Sequence, residues 1–161
     1  MVVSEKTLKW ALCLYPPLLF QRIWVRQFHK GFRGVDVKIA KSLLNKNYNG
    51  SIFGGTIYAA TDPFYALLFD QLLQRQGFKV RVWLKSASIQ YLKPGRGNLY
   101  FTITVTDDML NEAIEALNTS GKFVKAYPME ITNSAGELCA TVMNEVYVRN
   151  LHQGEESRIA Y

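Results

Sequence analysis

Between Gly54 and Gly77 the chain runs through a segment that limits what can be built around it. From Thr56 to Gln74 its only charged residues are Asp62 and Asp70, and apolar side chains cover nearly the whole circumference of a helix. A helix that is apolar all round has to be buried all round. In a chain of 161 residues that burial calls for a sheet wrapped around the helix.

The rest of the sequence supplies strands for such a sheet. Trp24 to His29 reads as a strand, and Val35, Val37 and Ile39 alternate with Asp36 and Lys38 in a clearer one. Lys79 to Leu92 begins with Val80, Val82 and Leu84 on one face and then shifts to Ala87, Ile89 and Tyr91. Such a shift predicts a bulge, or a strand covered on both faces. Leu99, Phe101, Ile103 and Val105 alternate with polar neighbours, and two further strands, Phe123 to Thr132 and Leu138 to Val148, flank the turn Asn133–Gly136. Leu8, Ala11, Leu12 and Tyr15 follow helical spacing behind the N-cap candidate Ser4, and Pro16 ends that helix. Leu110, Ala113, Ile114 and Leu117 form the stripe of a short helix near 107–118, capped by Thr106 or Asp107. The expected class is α+β: an antiparallel sheet around one long central helix at about 54–76. Residues 1–150 form a single domain with an N-terminal helical extension, and 151–161 a polar tail.

Several chemistries drop out on composition and spacing. Cys13 and Cys139 are the only cysteines, with no CxxC pair, so neither a disulfide scaffold nor a zinc site is indicated and a reducing cytoplasm fits best. His29 and His152 sit in no metal-ligand spacing and read as surface or packing residues; no metal is expected. GxSxG, P-loop and GxGxxG patterns are absent. Pro16-Pro17 interrupts the apolar stretch after Lys9, which speaks against a signal peptide. Gly54-Gly55, Asp62 and Pro63 speak against a membrane span over Ile52 to Phe69. The first 100 residues carry fifteen Lys and Arg against four acids, a bias suited to phosphates. Without a ribonucleoprotein or helix-turn-helix pattern it does not indicate nucleic acid.

What remains is Gly54-Gly55 at a helix start with Asp62 two turns in. Free N–H groups at a helix N-terminus favour developing negative charge, and glycine lets a ligand approach the backbone closely. Asp62 is a carboxylate on an otherwise apolar helix, next to a proline that cannot donate to Ala59 and distorts the helix there. Two roles fit such a group: reaction at a cleft, or acceptance of hydrogen bonds from a neighbouring backbone or subunit.

The runs Asn47-Tyr-Asn-Gly-Ser-Ile-Phe53-Gly54-Gly55-Thr-Ile-Tyr58-Ala-Ala-Thr-Asp62-Pro63-Phe64 and Ala87-Ser-Ile-Gln-Tyr-Leu-Lys93-Pro94-Gly95-Arg96-Gly97 resemble the hotdog family DUF4442. More distantly they resemble the phenylacetyl-CoA thioesterase group. The resemblance spans roughly residues 8–149 and implies the hotdog fold. A sheet wrapped on one helix leaves edge strands and an apolar seam exposed, which predicts a homodimer, or a tetramer of two such pairs, with the site at the subunit junction. The resemblance also implies an acyl-CoA thioesterase in which the Gly54 N–H meets the thioester carbonyl. Asp62 is then nucleophile or general base, and Asn47 positions water or substrate. Phe53 stands where those relatives carry histidine, and Leu84 stands where some carry a hydroxyl residue; Ser86, two residues on, is a candidate for that place.

Tyr58, Phe64, Tyr65 and Tyr91 are candidates for an acyl channel, with Gly55 and Phe53 beside the reacting group. Lys93 and Arg96, with Lys79 and Arg81, are candidates for coenzyme A phosphates. Coenzyme A enters only as part of the substrate, with no separate cofactor and no membrane partner. The alternative to hydrolysis is a non-catalytic acyl-CoA or fatty-acyl binding module, favoured by Phe53 as Asp62 and Gly54 favour the enzyme.

Overall fold

The computed structural model describes residues 2–151, so His152 and nearly all of the expected polar tail lie outside the described residues. Six strands form one antiparallel sheet: β1 (Ile23–Phe28), β2 (Gly34–Ile39), β3 (Val80–Tyr91), β4 (Leu99–Thr104), β5 (Lys122–Asn133) and β6 (Leu138–Asn150). Their order across the sheet is β1-β2-β4-β5-β6-β3, which leaves β1 and β3 at the edges. β3 carries the expected bulge. Leu84 pairs with Val146 and Ser86 with Glu145, so Lys85 is the extra residue and the inward parity changes there.

The central segment is helical but not one helix. α3 (Gly54–Ala59) and α4 (Pro63–Arg75) are separated by Ala60, Thr61 and Asp62. Pro63 has no N–H to give to Ala59 and stands at the first position of α4, where a missing donor costs least. α4 buries Phe64, Tyr65, Leu68, Phe69, Leu72 and Leu73. Phe64 meets Phe101 of β4 edge-on at 5.7 Å, and Tyr65 and Phe69 stack on Tyr127 of β5 at 5.2 and 5.6 Å. The side of α4 away from these rings is held by the N-terminal segment. The Val3 N–H donates to Gln71, and Arg75 donates to the Val3 carbonyl while lying over the Phe32 ring.

Two helices lead in from the N-terminus. α1 (Glu5–Leu14) starts at Ser4, whose hydroxyl accepts from the Thr7 N–H, and α2 (Pro16–Phe20) follows with Pro16 at its first position. Leu8, Leu12 and Cys13 form the inner line of α1; Ala11 and Tyr15, expected on that stripe, face outward because Cys13 turns α1 onto β1, its thiol 3.7 Å from the Val25 carbonyl. α5 (Asp107–Ser120) is capped by Thr106 and buries Leu110, Ala113 and Leu117. It packs on β5, β6 and α4 beside the loosest join of the sheet, where β4 and β5 pair at only two positions, Leu99 with Asn133 and Tyr100 with Thr132.

The position of Phe64 corrects its expected place on a channel wall: it is fully buried in the core. Phe64→Ala is expected to cost about 3–5 kcal/mol of unfolding free energy, the range for a core phenylalanine, measurable by urea denaturation.

Candidate functional site

The break between α3 and α4 turns one residue outward while satisfying the backbone behind it. The Thr61 hydroxyl donates to the Tyr58 carbonyl at 2.8 Å, and the side-chain amide of Asn144 on β6 donates to the Thr61 carbonyl at 2.8 Å. Thr61 and Asn144 are both wholly buried. Asp62, between Thr61 and Pro63, is exposed; its carboxylate makes no hydrogen bond and no ion pair among the described residues and caps no helix. It borders a largely apolar cavity of about 370 Å³, together with Leu12, Leu18, Tyr58 and Leu84.

Gly54 opens elsewhere. It borders a second cavity of about 310 Å³ with Asn47, Ile57, Tyr91 and Lys93. The N–H groups of Gly54 and Gly55 donate to no group among the described residues, as the first turn of a helix requires. The Tyr91 hydroxyl donates to the Gly54 carbonyl at 2.8 Å, and a Cβ on Gly54 would stand 3.1 Å from the Tyr91 ring. Burial, with the neighbouring Tyr58, raises the Tyr91 phenol above its ordinary value, which keeps it a donor at neutral pH. A Cβ on Gly55 would stand 2.4 Å from the Phe53 ring, so Gly55 makes room for Phe53. The helix behind these glycines has only six residues, so its dipole falls well short of the one expected from a continuous central helix.

The other expected site residues divide. Tyr58 is partly exposed and its hydroxyl reaches the Ala87 carbonyl at 3.4 Å, which lays α3 along the second half of β3. Tyr65 is not on a channel wall: it is buried, its hydroxyl donates to the Pro128 carbonyl at 2.9 Å, and burial pushes its pKa up to about 12. Asn47 lines the Gly54 cavity but spends its side chain on its own turn, accepting from the N–H groups of Asn49 and Ser51 and bonding the Ser51 hydroxyl. Ser86 donates to Glu145 at 2.9 Å. Lys93 forms an ion pair with Glu137 at 2.8 Å on the rim of the Gly54 cavity, and Arg96 stays exposed on the same turn. His29 lies 3.3 Å from Asp36 of β2 and reaches neither cavity. Sequence reasoning missed Thr61 and Asn144; the one available signal was Asn144, an amide at an inward position of an otherwise apolar alternation.

Residues 4–148 match the model of DUF4442, a domain of unknown function. The chain belongs to that family. No curated protein matches this DUF4442 chain in sequence. Among solved structures it is similar to a Pseudomonas aeruginosa protein described as a probable thioesterase, at 14% identity over 93% of this chain and 98% of that one, with a TM-score of 0.75. A Haemophilus influenzae thioesterase aligns at 14% identity over 94% of each chain, TM-score 0.69. The Escherichia coli PaaI protein of the phenylacetic acid degradation operon aligns at 15% identity over 92% of this chain and 96% of that one, TM-score 0.60. These likenesses establish the fold, which is the hotdog fold.

Removing the Asn144 amide leaves the buried Thr61 carbonyl without a donor. Asn144→Ala is expected to lower stability by about 1–3 kcal/mol, read from the urea midpoint at unchanged slope.

Proposed function

We propose that this DUF4442 chain is a thioester hydrolase acting on acyl-CoA-type substrates, with Asp62 as the base and the Gly54 N–H as the carbonyl donor. The observation that carries the reading is Asp62: an exposed carboxylate, without a partner among the described residues, beside a largely apolar cavity. Its acceptor capacity is left for a water molecule or a substrate, and its place beside an apolar cavity sets it apart from an ordinary solvated surface carboxylate.

In the reaction proposed, Asp62 takes a proton from water as the water oxygen bonds to the thioester carbon. The carbonyl oxygen gathers negative charge against the Gly54 N–H. The C–S bond then breaks, the thiolate leaves and takes up the proton, and a carboxylic acid and a thiol result. Lys93, on the rim of the Gly54 cavity, and Arg96, exposed on the same turn, are proposed to meet the anionic leaving portion.

Geometry sets a condition on this chemistry. Gly54 and Asp62 are eight residues apart, roughly 12 Å at helical rise even before the break between α3 and α4 is counted, and the two border different cavities. A donor works at about 3 Å from the oxyanion and a base within hydrogen-bond reach of the attacking water, so the two cannot serve one carbonyl from the same protomer. We therefore propose a homodimer in which Gly54 of one protomer and Asp62 of its partner share a site. Strand β3 has twelve residues and an unpaired outer edge, and Phe53, Tyr91 and Leu92 stand exposed beside it. Such an edge invites strand pairing with a second copy. Sedimentation is expected to give a dimer or a tetramer at micromolar concentration; a stable monomer would remove the shared site.

Thiol release across short, long and aromatic acyl-CoAs tests the activity. Asp62→Asn is expected to lower turnover at least ~100-fold with little change in KM. Gly54→Pro deletes the N–H at the first helical position; its Cβ would stand 3.1 Å from the Tyr91 ring, so a thermal melt first checks that the variant folds. Mixed dimers of the two inactive variants are expected to regain about a quarter of the parental rate, because random pairing restores one of two junctions in half of the dimers. A mixture no faster than its components places both groups in one protomer and defeats the scheme. The second reading, a non-catalytic acyl-CoA binding module, is favoured by Phe53, which is 57% exposed and offers no polar atom where relatives carry histidine. It takes over if the parental protein binds an acyl-CoA and hydrolyses none.

A further inference from the structure

The Asp62 cavity has an unexpected second wall. One side comes from the α3–α4 break and from Leu84 at the β3 bulge; the other is built by the N-terminal hairpin, through Leu12 on α1, Tyr15 and Pro17 at the corner, and Leu18 on α2. We propose that this hairpin forms the seat of the substrate's acyl group and sets the chain length accepted, an inference that rests on the hydrolase reading for its substrate but not for its ligand chemistry.

Three observations carry it. The lining is mostly apolar, with Asp62 as its one charged group, which suits a hydrocarbon tail whose polar end lies at Asp62. The volume, about 370 Å³, is more than twice the about 150 Å³ that accommodates benzene, so an acetyl group or a single ring leaves much of it empty while a longer alkyl chain fills it. The wall is also anchored. Cys13 holds α1 to β1, the Tyr15 N–H donates to the Leu12 carbonyl, the Leu18 N–H donates to the Tyr15 carbonyl, and the side-chain amide of Asn45 donates to the Gln21 carbonyl just beyond α2. A wall fixed at both ends acts as a ruler; a loose one would yield to any chain.

Ala59 lines the cavity and is only partly buried at the margin of the core, so a larger side chain there takes up space in the seat. The test uses two probe series on the full chain. The first is kcat/KM for straight-chain acyl-CoAs from acetyl to palmitoyl. The second is calorimetric binding of straight-chain methyl ketones of increasing length, uncharged carbonyl compounds that cannot be hydrolysed. Affinity is expected to rise about four-fold per methylene until the seat is full and then level off. Ala59→Leu is expected to shorten the optimum in both series by roughly the three carbons it adds. Leu12→Ala is expected to lengthen it, and should that variant not fold, Ala59→Met supplies the second point. Thioesters hydrolysed with a length profile that folded variants leave in place would overturn the seat and spare the hydrolase. Ketone binding that follows the variants, with no thioester hydrolysed, would sink the hydrolase and retain the seat. Ketones that do not bind, or bind without regard to length, count against the seat whatever the hydrolysis shows.

Discussion

A helix without a polar side has no face to offer water, and the structure is organised around hiding one. α4 is enclosed by the sheet through Phe64, Tyr65 and Phe69 and on its far side by residues near Val3 and by Phe32. The sheet must curve to do this, and the N-terminal segment must lie against the helix rather than trail away. Burial of those three rings is worth several kcal/mol before the edge-on and stacked contacts add to it. The helical hairpin before β1 is thus part of the core's enclosure, and only from that position can it border the Asp62 cavity.

The same burial creates a problem at Asp62. A continuous apolar helix would carry that carboxylate inward or leave a broken backbone unsatisfied in the core. Pro63 stops α3, the Thr61 hydroxyl takes the Tyr58 carbonyl, and Asn144 takes the Thr61 carbonyl. With the backbone satisfied, the side chain between them is released to the surface. Asn144 keeps its other amide atom, the carbonyl oxygen, buried without a partner, a cost accepted at the point where the break is pinned.

Much of this was legible in the chain. Periodicity placed the strands, and side-chain chemistry marked the helix cap at Ser4. The parity change between Leu84 and Ala87 left a bulge or a doubly covered strand open, and the α5 cap lay between Thr106 and Asp107; the structure resolves these as the bulge and Thr106. The break in the central helix was visible only as a distortion at Pro63, because nothing local says whether the lost hydrogen bond bends a helix or ends it. The site was read less well. Phe64 and Tyr65 share composition with channel residues and differ only in burial, which tertiary packing decides. Gly54 and Asp62 belong to one motif by spacing yet border separate cavities, because the break at Pro63 turns them to different sides.

The seam between β4 and β5 has a consequence for solvent. Hydrogen bonds fasten the two strands only at Leu99–Tyr100 and Thr132–Asn133. Beyond Tyr100 the strands diverge, and α5 packs its apolar stripe Leu110, Ala113 and Leu117 beside the opening. The six strands therefore act as two leaves, β1-β2-β4 and β5-β6-β3, stitched at one end. Isotope exchange of the amides that face this gap is governed by how often α5 lifts, a local event that costs less than global unfolding.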